Sequence, residues 1–202
     1  NVVSLIKQMY RYALKTDKVE KDYAQFISIN INYVATKKEP FADSELKLLW
    51  NNKDDDIAEM ILIMCYSGFR ISAYKTLEVN LKEGYFFGGV KTDAGKERYV
   101  PMHSAIMDLV RKRIKRHGCL LPTTPAIFRA DMYAYLDSKR MAKHSPHSCR
   151  HTFSALCEHY KVRAADRVRM LGHAFKDITN KVYGHRTIEE LRSEIEKIRI
   201  WC

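Results

Sequence analysis

Long apolar runs, glycine and proline are all scarce in this 202-residue chain. No run of eighteen apolar residues occurs, and the longest apolar stretch, residues 57–66, contains Glu59 and is too short to cross a bilayer. The first residues lack the pattern of a signal peptide. With 8 Gly and 5 Pro, the chain is neither collagen-like nor linker-like. The sequence therefore predicts neither a membrane-spanning protein nor a fibrous one.

Paired cysteines of the kind that bind zinc or form disulfide frameworks are also missing. The five cysteines are odd in number, and no two of them form a CxxC motif. This pattern argues against a disulfide framework and a structural zinc site, and it favours a reducing, intracellular compartment. The cysteines are Cys65, Cys119, Cys149, Cys157 and Cys202.

Positive charge, in contrast, is abundant. The chain has 35 Lys and Arg against 24 Asp and Glu, which gives a net charge of +11. This excess predicts a polyanionic partner, nucleic acid first and an anionic membrane surface second. A basic protein without such a partner remains the alternative. The 46% of hydrophobic and 29% of charged residues are those of an ordinary folded protein, which excludes a disordered chain.

The first forty residues differ from the rest of the chain. Apolar residues recur at helical spacing over residues 3–13 and predict an amphipathic helix, whereas residues 30–40 show little periodicity and are typical of a linker. We therefore expect residues 1–38 to be the last helix and linker of an upstream domain, and residues 39–202 to form a complete second domain. Because the first residue is Asn1 rather than Met, we expect the chain to be a piece of a longer protein.

From Phe41 onward most of the pattern is helical. Asp43 or Ser44 is predicted to cap a first helix. The acidic residues 54–56 then favour the start of a second helix. Because this second helix is apolar nearly all round, it is predicted to lie buried at the centre of the domain. Gly68 stands where a glycine is expected to end it.

A β-hairpin is predicted where the helical pattern breaks, over residues 84–102, with a third short strand near residues 77–81. Ser104 is predicted to cap the next helix, and Gly118 to end it. Residues 120–128 are predicted to form a loop or a short strand.

Helices are predicted over most of the remaining chain, the first over residues 131–143, and helical signals continue through Val168 and Leu171 and then Ile178 and Val182. Ser145-Pro146 begins the second, since Ser is a preferred N-cap and Pro a preferred first helical residue. Thr187 and Glu190 form a capping box at the start of the last helix. The apolar stripe of that helix consists of Ile188, Leu191, Ile195 and Ile198. The predicted fold class is α+β, mainly helical, with a small antiparallel sheet.

Several cationic and imidazole residues are candidates for function, although each alone has an ordinary interpretation. Arg70 could form a structural ion pair, Lys91 could be a solvated surface lysine, and Tyr183 could belong to the core. The segment 147–151, His-Ser-Cys-Arg-His, opens a helix. There the backbone N–H groups and the helix dipole favour an anion, and Arg150 can bind a phosphate with two N–H groups.

In combination, the order Arg…Lys…His-x-x-Arg…Leu-Gly-His…Tyr resembles the tyrosine recombinase (phage integrase) superfamily. The resemblance covers about residues 39–198, the whole catalytic domain of that family. Its most specific segments are Ser67–Ser72, His147–Phe153 and Leu171–His173.

Two further segments refine this resemblance. The start of the chain resembles the end of the family's helical core-binding domain, so residues 1–38 are expected to be the C-terminal helix of that domain plus its linker. Residues 10–14, Tyr-Arg-Tyr-Ala-Leu, and the region Lys37–Leu49 are most similar to integrases of conjugative transposons.

The resemblance implies a role for each of six residues. Tyr183 would attack a DNA phosphodiester and form a 3′-phosphotyrosine link, while Arg70 and Arg150 would bind the non-bridging oxygens of the scissile phosphate. The remaining three are Lys91, which would protonate the leaving 5′ oxygen, His147, which would assist proton transfer, and His173, which would hydrogen-bond the phosphate.

This chemistry needs neither a metal nor another cofactor. Negative charge develops on the phosphate oxygens during attack, and one hydrogen-bond donor held in place to stabilise that charge increases the rate about 10²–10³-fold. A phenol with a pKa of about 10 loses its proton more easily when positive charge surrounds it. Because the covalent link conserves the bond energy, the strands are rejoined without ATP.

Four further residues are secondary candidates, and one family residue is missing. Lys96 is an alternative to Lys91 as the acid, whereas Lys75 and Arg98 have no assigned role. The resemblance implies that His151 packs behind the site, and a helix-capping or core role is the alternative. Many family members carry an acidic residue three positions after the first Arg, and here Ala73 stands there. This departure bears on the support of Arg70.

The resemblance also implies partners and a location. We expect site-specific recombination of double-stranded DNA, in the integration and excision of a mobile element, by a tetramer that exchanges its C-terminal helix, residues 187–198. An accessory excision factor is a further expected partner, and the expected location is cytoplasmic and nucleoid-associated. The alternative for the last helix is that it folds back on its own domain.

Three rival functions remain. The first is a catalytically silent DNA-binding protein on the same scaffold, whose DNA binding would not depend on Tyr183. The second is a topoisomerase-like enzyme with the same chemistry but no partner site. The third is a metal-dependent nuclease, for which no carboxylate motif is obvious.

Overall fold

The chain divides into two compact units, Asn1–Lys37 and Lys38–Cys202. A computed structural model describes residues 2–28, 39–90, 97–173 and 186–200. In the first unit, the predicted amphipathic helix is present as α1, Val2–Lys15, and a short 3₁₀ helix follows at Tyr23–Phe26. None of the described helices combines the length and the apolar character that crossing a bilayer requires.

The second unit has the predicted α+β character, mainly helical with a small antiparallel sheet. Its elements in chain order are α2 (Asp43–Asn51), α3 (Asp56–Cys65), a 3₁₀ helix (Ile71–Lys75), β1 (Glu78–Asn80), β2 (Tyr85–Gly88), β3 (Arg98–Pro101), α4 (Ser104–His117), α5 (Pro125–Ser138), α6 (Pro146–His159), α7 (Ala164–Leu171) and α8 (Ile188–Ile195).

Helix α3 is the centre of this unit, as its apolar sequence predicted. Every residue from 58 to 65 is buried, and α3 packs against α2, α4, α5 and, most extensively, α6. The helix begins where the acidic residues predicted, because the Asp55 carboxylate accepts hydrogen bonds from the N–H groups of Ile57 and Ala58. Burial of one such apolar side chain contributes about 1.5–3 kcal/mol, so this helix is a main source of the unit's stability.

The sheet has the order β1-β2-β3, and both pairs of strands are antiparallel. Phe86 pairs with Val100, and both are fully buried, so this face of the sheet lies on the core. On the other face the ring of Tyr99 packs against those of Tyr85 and Phe87. The predicted hairpin and third strand are therefore confirmed. Arg98 shares the core-facing side with Val100, since side chains alternate along a strand.

Helix α5 corrects the prediction for residues 120–143. It begins at Pro125, inside the segment predicted as a loop or a short strand, and it ends at Ser138 rather than residue 143. Thr124 is the N-cap, and its hydroxyl accepts a hydrogen bond from the N–H of Ile127. Thr124-Pro125 is the same cap-then-proline signal that correctly located the start of α6 at Ser145-Pro146.

Two other predicted caps are off by one residue. Ser104 is the first residue of α4, and His103 caps this helix by accepting a hydrogen bond at Nδ1 from the N–H of Ala105. For α2 the N-cap is Ala42 rather than Asp43 or Ser44, and the Glu45 carboxylate accepts the hydrogen bond from the N–H of Ala42. In α4 the imidazole of His103 thus takes the place of the expected Ser, whereas in α2 the N-cap side chain makes no capping hydrogen bond.

The last helix, α8, packs on its own unit, against β3. Its predicted capping box is present, with Thr187 and Glu190 each accepting a hydrogen bond from the other's N–H. The predicted stripe is buried at Leu191, Ile195 and Ile198. In this single chain, therefore, the helix lies on its own domain, and its exchange between protomers stays a prediction.

Gly68 is the residue through which α3 approaches α6. Its φ is +70°, and a Cβ there would overlap the ring of the fully buried Phe153 of α6. Gly118 has a similar φ of +73°, but a Cβ on it would meet no atom within 4 Å. The two glycines share a left-handed backbone and differ only in their surroundings.

We predict that Gly68→Ala destabilises the protein more than Gly118→Ala. The shared backbone term is about 1–2 kcal/mol, and forcing a methyl group against Phe153 adds about 1–3 kcal/mol for Gly68→Ala alone. Urea unfolding of the two variants measures the difference. Equal losses of unfolding free energy would show that the contact between Gly68 and Phe153 is not as tight as described.

Candidate active site

Arg150, in the second turn of α6, connects three parts of the second unit. Its side chain is only 4% exposed. Nη1 donates a hydrogen bond to the Gly68 carbonyl at 2.8 Å, and Nη2 contacts Nε2 of His173 at 2.8 Å. Because a guanidinium can only donate, Nε2 of His173 is the acceptor, so the imidazole is neutral and carries its proton on Nδ1. Arg150 thereby fixes both the orientation and the protonation state of His173.

Arg70 lies two residues beyond Gly68, at the start of the 3₁₀ helix. Its Nη1 atom is buried and has no hydrogen-bond partner among the residues that the structure describes. Over the same residues Arg70 forms no ion pair, in keeping with Ala73 at the position where an acidic residue was expected. A buried donor without a partner costs about 1–3 kcal/mol, and an anion that accepts from it recovers this cost.

The positive charges of this site act on one another. Burial, and then the charge of Arg70, lower the pKa of Arg150 to about 10. Burial, and then the charges of Arg150 and Arg70, lower the pKa of Arg98 to about 10. Burial and four surrounding arginines, Arg150 first, lower the pKa of His173 as well. Since like charges destabilise one another here, an anion bound among them is favoured.

A cleft of about 540 Å³ opens beside Arg70 and the N-terminus of α6. His147, in the first turn of α6, is exposed to it, and its ring packs edge-on against that of His151 at 4.6 Å. Cations together with a helix N-terminus favour a negatively charged ligand. The cleft is lined by Arg70, Ile71, Ser72, Arg129, Tyr133, Ser145, Pro146 and His147.

Two lining residues, Arg129 and Tyr133, were missed by the sequence analysis. They are four residues apart on α5 and so share one face of that helix. The sequence shows this spacing, but the predicted helix begins at residue 131 and so does not include Arg129. Which face of α5 borders the cleft depends on tertiary packing.

The structure places four of the six predicted site residues, and they lie in one region. Arg150 and His173 are in direct contact, while Arg70 and His147 line one cleft. Lys91 and Tyr183 lie outside the described residues, as does the alternative acid Lys96.

The other secondary candidates are divided. Lys75 donates a hydrogen bond from Nζ to the carbonyl of Thr123 at 3.3 Å. The ring of His151 packs against that of His147. Arg98 lies within the arginine cluster, close enough for its charge to lower the pKa of His173. Of these three, only Arg98 joins the site electrostatically.

The chain that follows Tyr183 is held to α7 by an ion pair that the sequence analysis did not predict. Arg186 donates two hydrogen bonds to Asp166, from Nε at 3.2 Å and from Nη2 at 2.9 Å. Asp166 is fully buried and also accepts a hydrogen bond from Arg169.

Within the described part of the chain, no group of three or more His, Cys, Asp and Glu side chains is arranged to hold a metal ion.

Comparison with known proteins identifies the fold. No model of a protein family matches the chain, and no curated protein does. Among solved structures, the chain is similar to the Tn1549 transposon integrase in complex with circular intermediate DNA, with a TM-score of 0.68, 18% identity, and coverage of 94% of this chain and 75% of that one. The same integrase with transposon right end DNA gives a TM-score of 0.67 at 18% identity, with 95% and 76% covered.

An integrase from mycobacterium phage Brujita is also similar, with a TM-score of 0.62 at 13% identity over 98% of this chain and 70% of that one. The chain therefore has the fold of transposon and phage integrases. The predicted fold is thereby confirmed.

We predict that sulfate stabilises the protein by binding between Arg70 and Arg150. At a concentration a hundred times its dissociation constant, such an anion adds about 2.7 kcal/mol to the unfolding free energy. Thermal unfolding in sodium sulfate and in sodium chloride of equal ionic strength measures this effect. Arg70→Ala should lose the sulfate-specific gain, whereas Arg111→Ala, on the exposed side of α4, should keep it. The same gain in both variants would contradict an anion site here.

Proposed function

We propose that this chain is a site-specific DNA recombinase, which cleaves and rejoins double-stranded DNA through a 3′-phosphotyrosine intermediate at Tyr183. The observation that carries the proposal is the partly buried contact of Arg150 with His173, beside Arg70 and a cleft that Arg129 also lines. Integration and excision of a mobile element is the proposed role, supported by the fold shared with a transposon integrase.

Arg70 and Arg150 bind the scissile phosphate in this mechanism. Two guanidinium groups present several N–H donors in fixed planes, which match the non-bridging oxygens better than lysine does. Arg150 is already oriented by the Gly68 carbonyl, so little reorganisation is needed when the phosphate binds. His173 carries its proton on Nδ1 and accepts from Arg150 through Nε2 in the described state. Its proposed role is to donate a hydrogen bond to a phosphate oxygen.

The bond changes balance without an added reagent. The Tyr183 oxygen forms a bond to phosphorus, the bond from phosphorus to the 5′ oxygen breaks, and the phenol proton is lost with the help of His147. Lys91 gives a proton to the departing 5′ oxygen. Rejoining reverses these steps, with a 5′ hydroxyl as the nucleophile and Tyr183 as the leaving group.

The DNA runs past the cleft in this proposal, so that Arg129 binds a phosphate near the scissile one. The net charge of +11 supports an electrostatic contribution to this binding, which should fall steeply with salt. The unit Asn1–Lys37 is proposed to be the end of a core-binding domain that contacts the DNA as well.

A tetramer on DNA, with exchange of the C-terminal helix between protomers, is the proposed assembly. In the described state α8 is tied to its own unit, where Ser104 donates hydrogen bonds to Glu196 through its N–H and its hydroxyl. Exchange would require these bonds, and the burial of Leu191, Ile195 and Ile198, to be remade on a neighbour.

A covalent-trap assay tests the proposed function. A nicked duplex from the DNA that flanks the gene for this chain releases a short fragment on cleavage, so the linked protein cannot rejoin it. We predict an adduct that survives denaturing electrophoresis, forms in EDTA, and disappears in Tyr183→Phe. Arg70→Ala should slow its formation about 10²–10³-fold. Tyr160→Phe, at the far end of α6, is the matched control and should react normally.

The rival functions give different outcomes. DNA binding without an adduct, unchanged in Tyr183→Phe and also seen with a longer chain, would support the silent DNA-binding protein and overturn the proposal. Cleavage that EDTA abolishes would indicate a metal-dependent nuclease instead. An adduct that leads to relaxation of any supercoiled plasmid, without need of two identical sites, would indicate a topoisomerase-like enzyme.

A further inference from the structure

Arg98 is a charged side chain in a position that usually holds an apolar one. It lies on the core-facing side of β3 and is only 7% exposed. Its guanidinium carbon lies 4.1 Å from the centre of the Phe69 ring, and its Nε donates a hydrogen bond to the Met170 carbonyl at 2.9 Å. Burial of a charge costs several kcal/mol even after relaxation, so contacts of this kind are needed to retain it.

The Met170 carbonyl belongs to the last turn of α7, directly before the residues that end that helix. Gly172 adopts φ +67°, and the N–H of His173 returns to the Val168 carbonyl at 3.1 Å. His173 therefore leaves α7 in a direction set by these last residues. A side chain that holds the Met170 carbonyl also determines where His173 meets Arg150.

Phe69 is the residue through which Arg98 contacts the segment 68–70. It lies between Gly68, whose carbonyl accepts from Arg150, and Arg70. The Phe69 ring is fully buried and supports the guanidinium of Arg98 on its face. Arg98 thus contacts both segments that Arg150 connects: the one that carries Gly68 and Arg70, and the one that carries His173.

We propose that Arg98 is a positioning residue of the phosphate site, which holds the end of α7 against the segment 68–70 so that His173 meets Arg150. This inference rests on the proposed function for its consequence in catalysis. Its structural part, the dependence of His173 on Arg98, can be measured on the protein alone.

The charge of Arg98 also supports the contact between His173 and Arg150, because it favours the neutral form of the imidazole. Among the residues that the structure describes, the cationic groups that act on His173 are Arg150 from α6, Arg70 from the segment after α3, Arg98 from β3 and Arg167 from α7, and all four lower the pKa of His173. A lower pKa keeps the imidazole neutral at neutral pH, as its acceptor role towards Arg150 requires. Removal of the Arg98 charge must therefore raise the pKa of His173.

The decisive experiment is an NMR titration of the His173 side chain in the wild type, Arg98→Met and Arg98→Lys, with His173→Gln to assign the signal. We expect Arg98→Met to move the midpoint to higher pH. Arg98→Lys, which keeps the charge but lacks the planar group over Phe69, should leave the midpoint closer to the wild-type value. Arg111→Met, which removes an exposed arginine of α4 other than the four named above, is the control and should leave it unchanged.

Cleavage kinetics give the second readout. Both Arg98 variants should form the covalent adduct more slowly, by up to about 10²-fold, because a small misplacement of a site residue has an effect of this size. The acid limb of the pH–rate profile should move to higher pH in Arg98→Met and stay near its original place in Arg98→Lys. Urea unfolding of each variant confirms that it is folded.

An unchanged His173 titration in a folded Arg98→Met protein would overturn the proposal, and Arg98→Lys with wild-type rates would also contradict it. Failure of the proposed function has a different signature. If no Tyr183-dependent adduct forms in the wild type while the His173 midpoint still moves in Arg98→Met, the interaction of Arg98 with His173 stands and the recombinase function does not.

Discussion

The two hydrogen bonds that Arg150 donates connect positions 82 and 23 residues away along the chain, the Gly68 carbonyl and the His173 imidazole. A guanidinium that is 4% exposed needs such partners, because an unpaired charge at that depth would destabilise the fold. The close approach of Gly68 to Phe153 in turn lets the end of α3 reach α6. The packing of the core and the geometry of the site thus depend on the same contact.

Around this contact, several carboxylates form ion pairs with the helices of the domain, whereas three arginines lie together at the site. The acidic side chains near α3 pair with the last turns of α4: Glu59, itself buried, with Arg113, and Asp56 with Arg113, Arg116 and His117. Asp166 is committed to Arg169 and Arg186. These carboxylates therefore stabilise the fold, whereas Arg70, Arg98 and Arg150 together create a positive electrostatic potential at the site. A phosphate bound there experiences a field that is fixed before it arrives, which is the condition for electrostatic stabilisation of a transition state.

Much of the fold could be predicted because its strongest signals are local. The all-round apolar pattern of α3, the Ser145-Pro146 start of α6 and the Thr187–Glu190 capping box each depend on neighbours in sequence, and each was confirmed. The errors arose where a distant or unexpected residue takes part. Nothing in the sequence indicates that His103 would cap α4, that Glu59 would be buried with Arg113, or that Arg98 would stack on Phe69. The grouping of Arg70, His147, Arg150 and His173 followed from a resemblance in residue order, while the part of α5 that borders the cleft followed only from packing.

The most direct test of the central claim, that Arg150 stabilises charge on a phosphate, uses a neutral substrate. A methylphosphonate at the scissile position lacks one non-bridging oxygen and therefore carries one negative charge fewer in the transition state. The measurement is the rate of adduct formation by the wild type and by Arg150→Ala on this substrate and on the normal phosphodiester. The account predicts a loss of about 10²–10³-fold for Arg150→Ala on the phosphodiester and a much smaller loss on the methylphosphonate. Equal losses on the two substrates would contradict it, and would mean that Arg150 serves only to hold the fold.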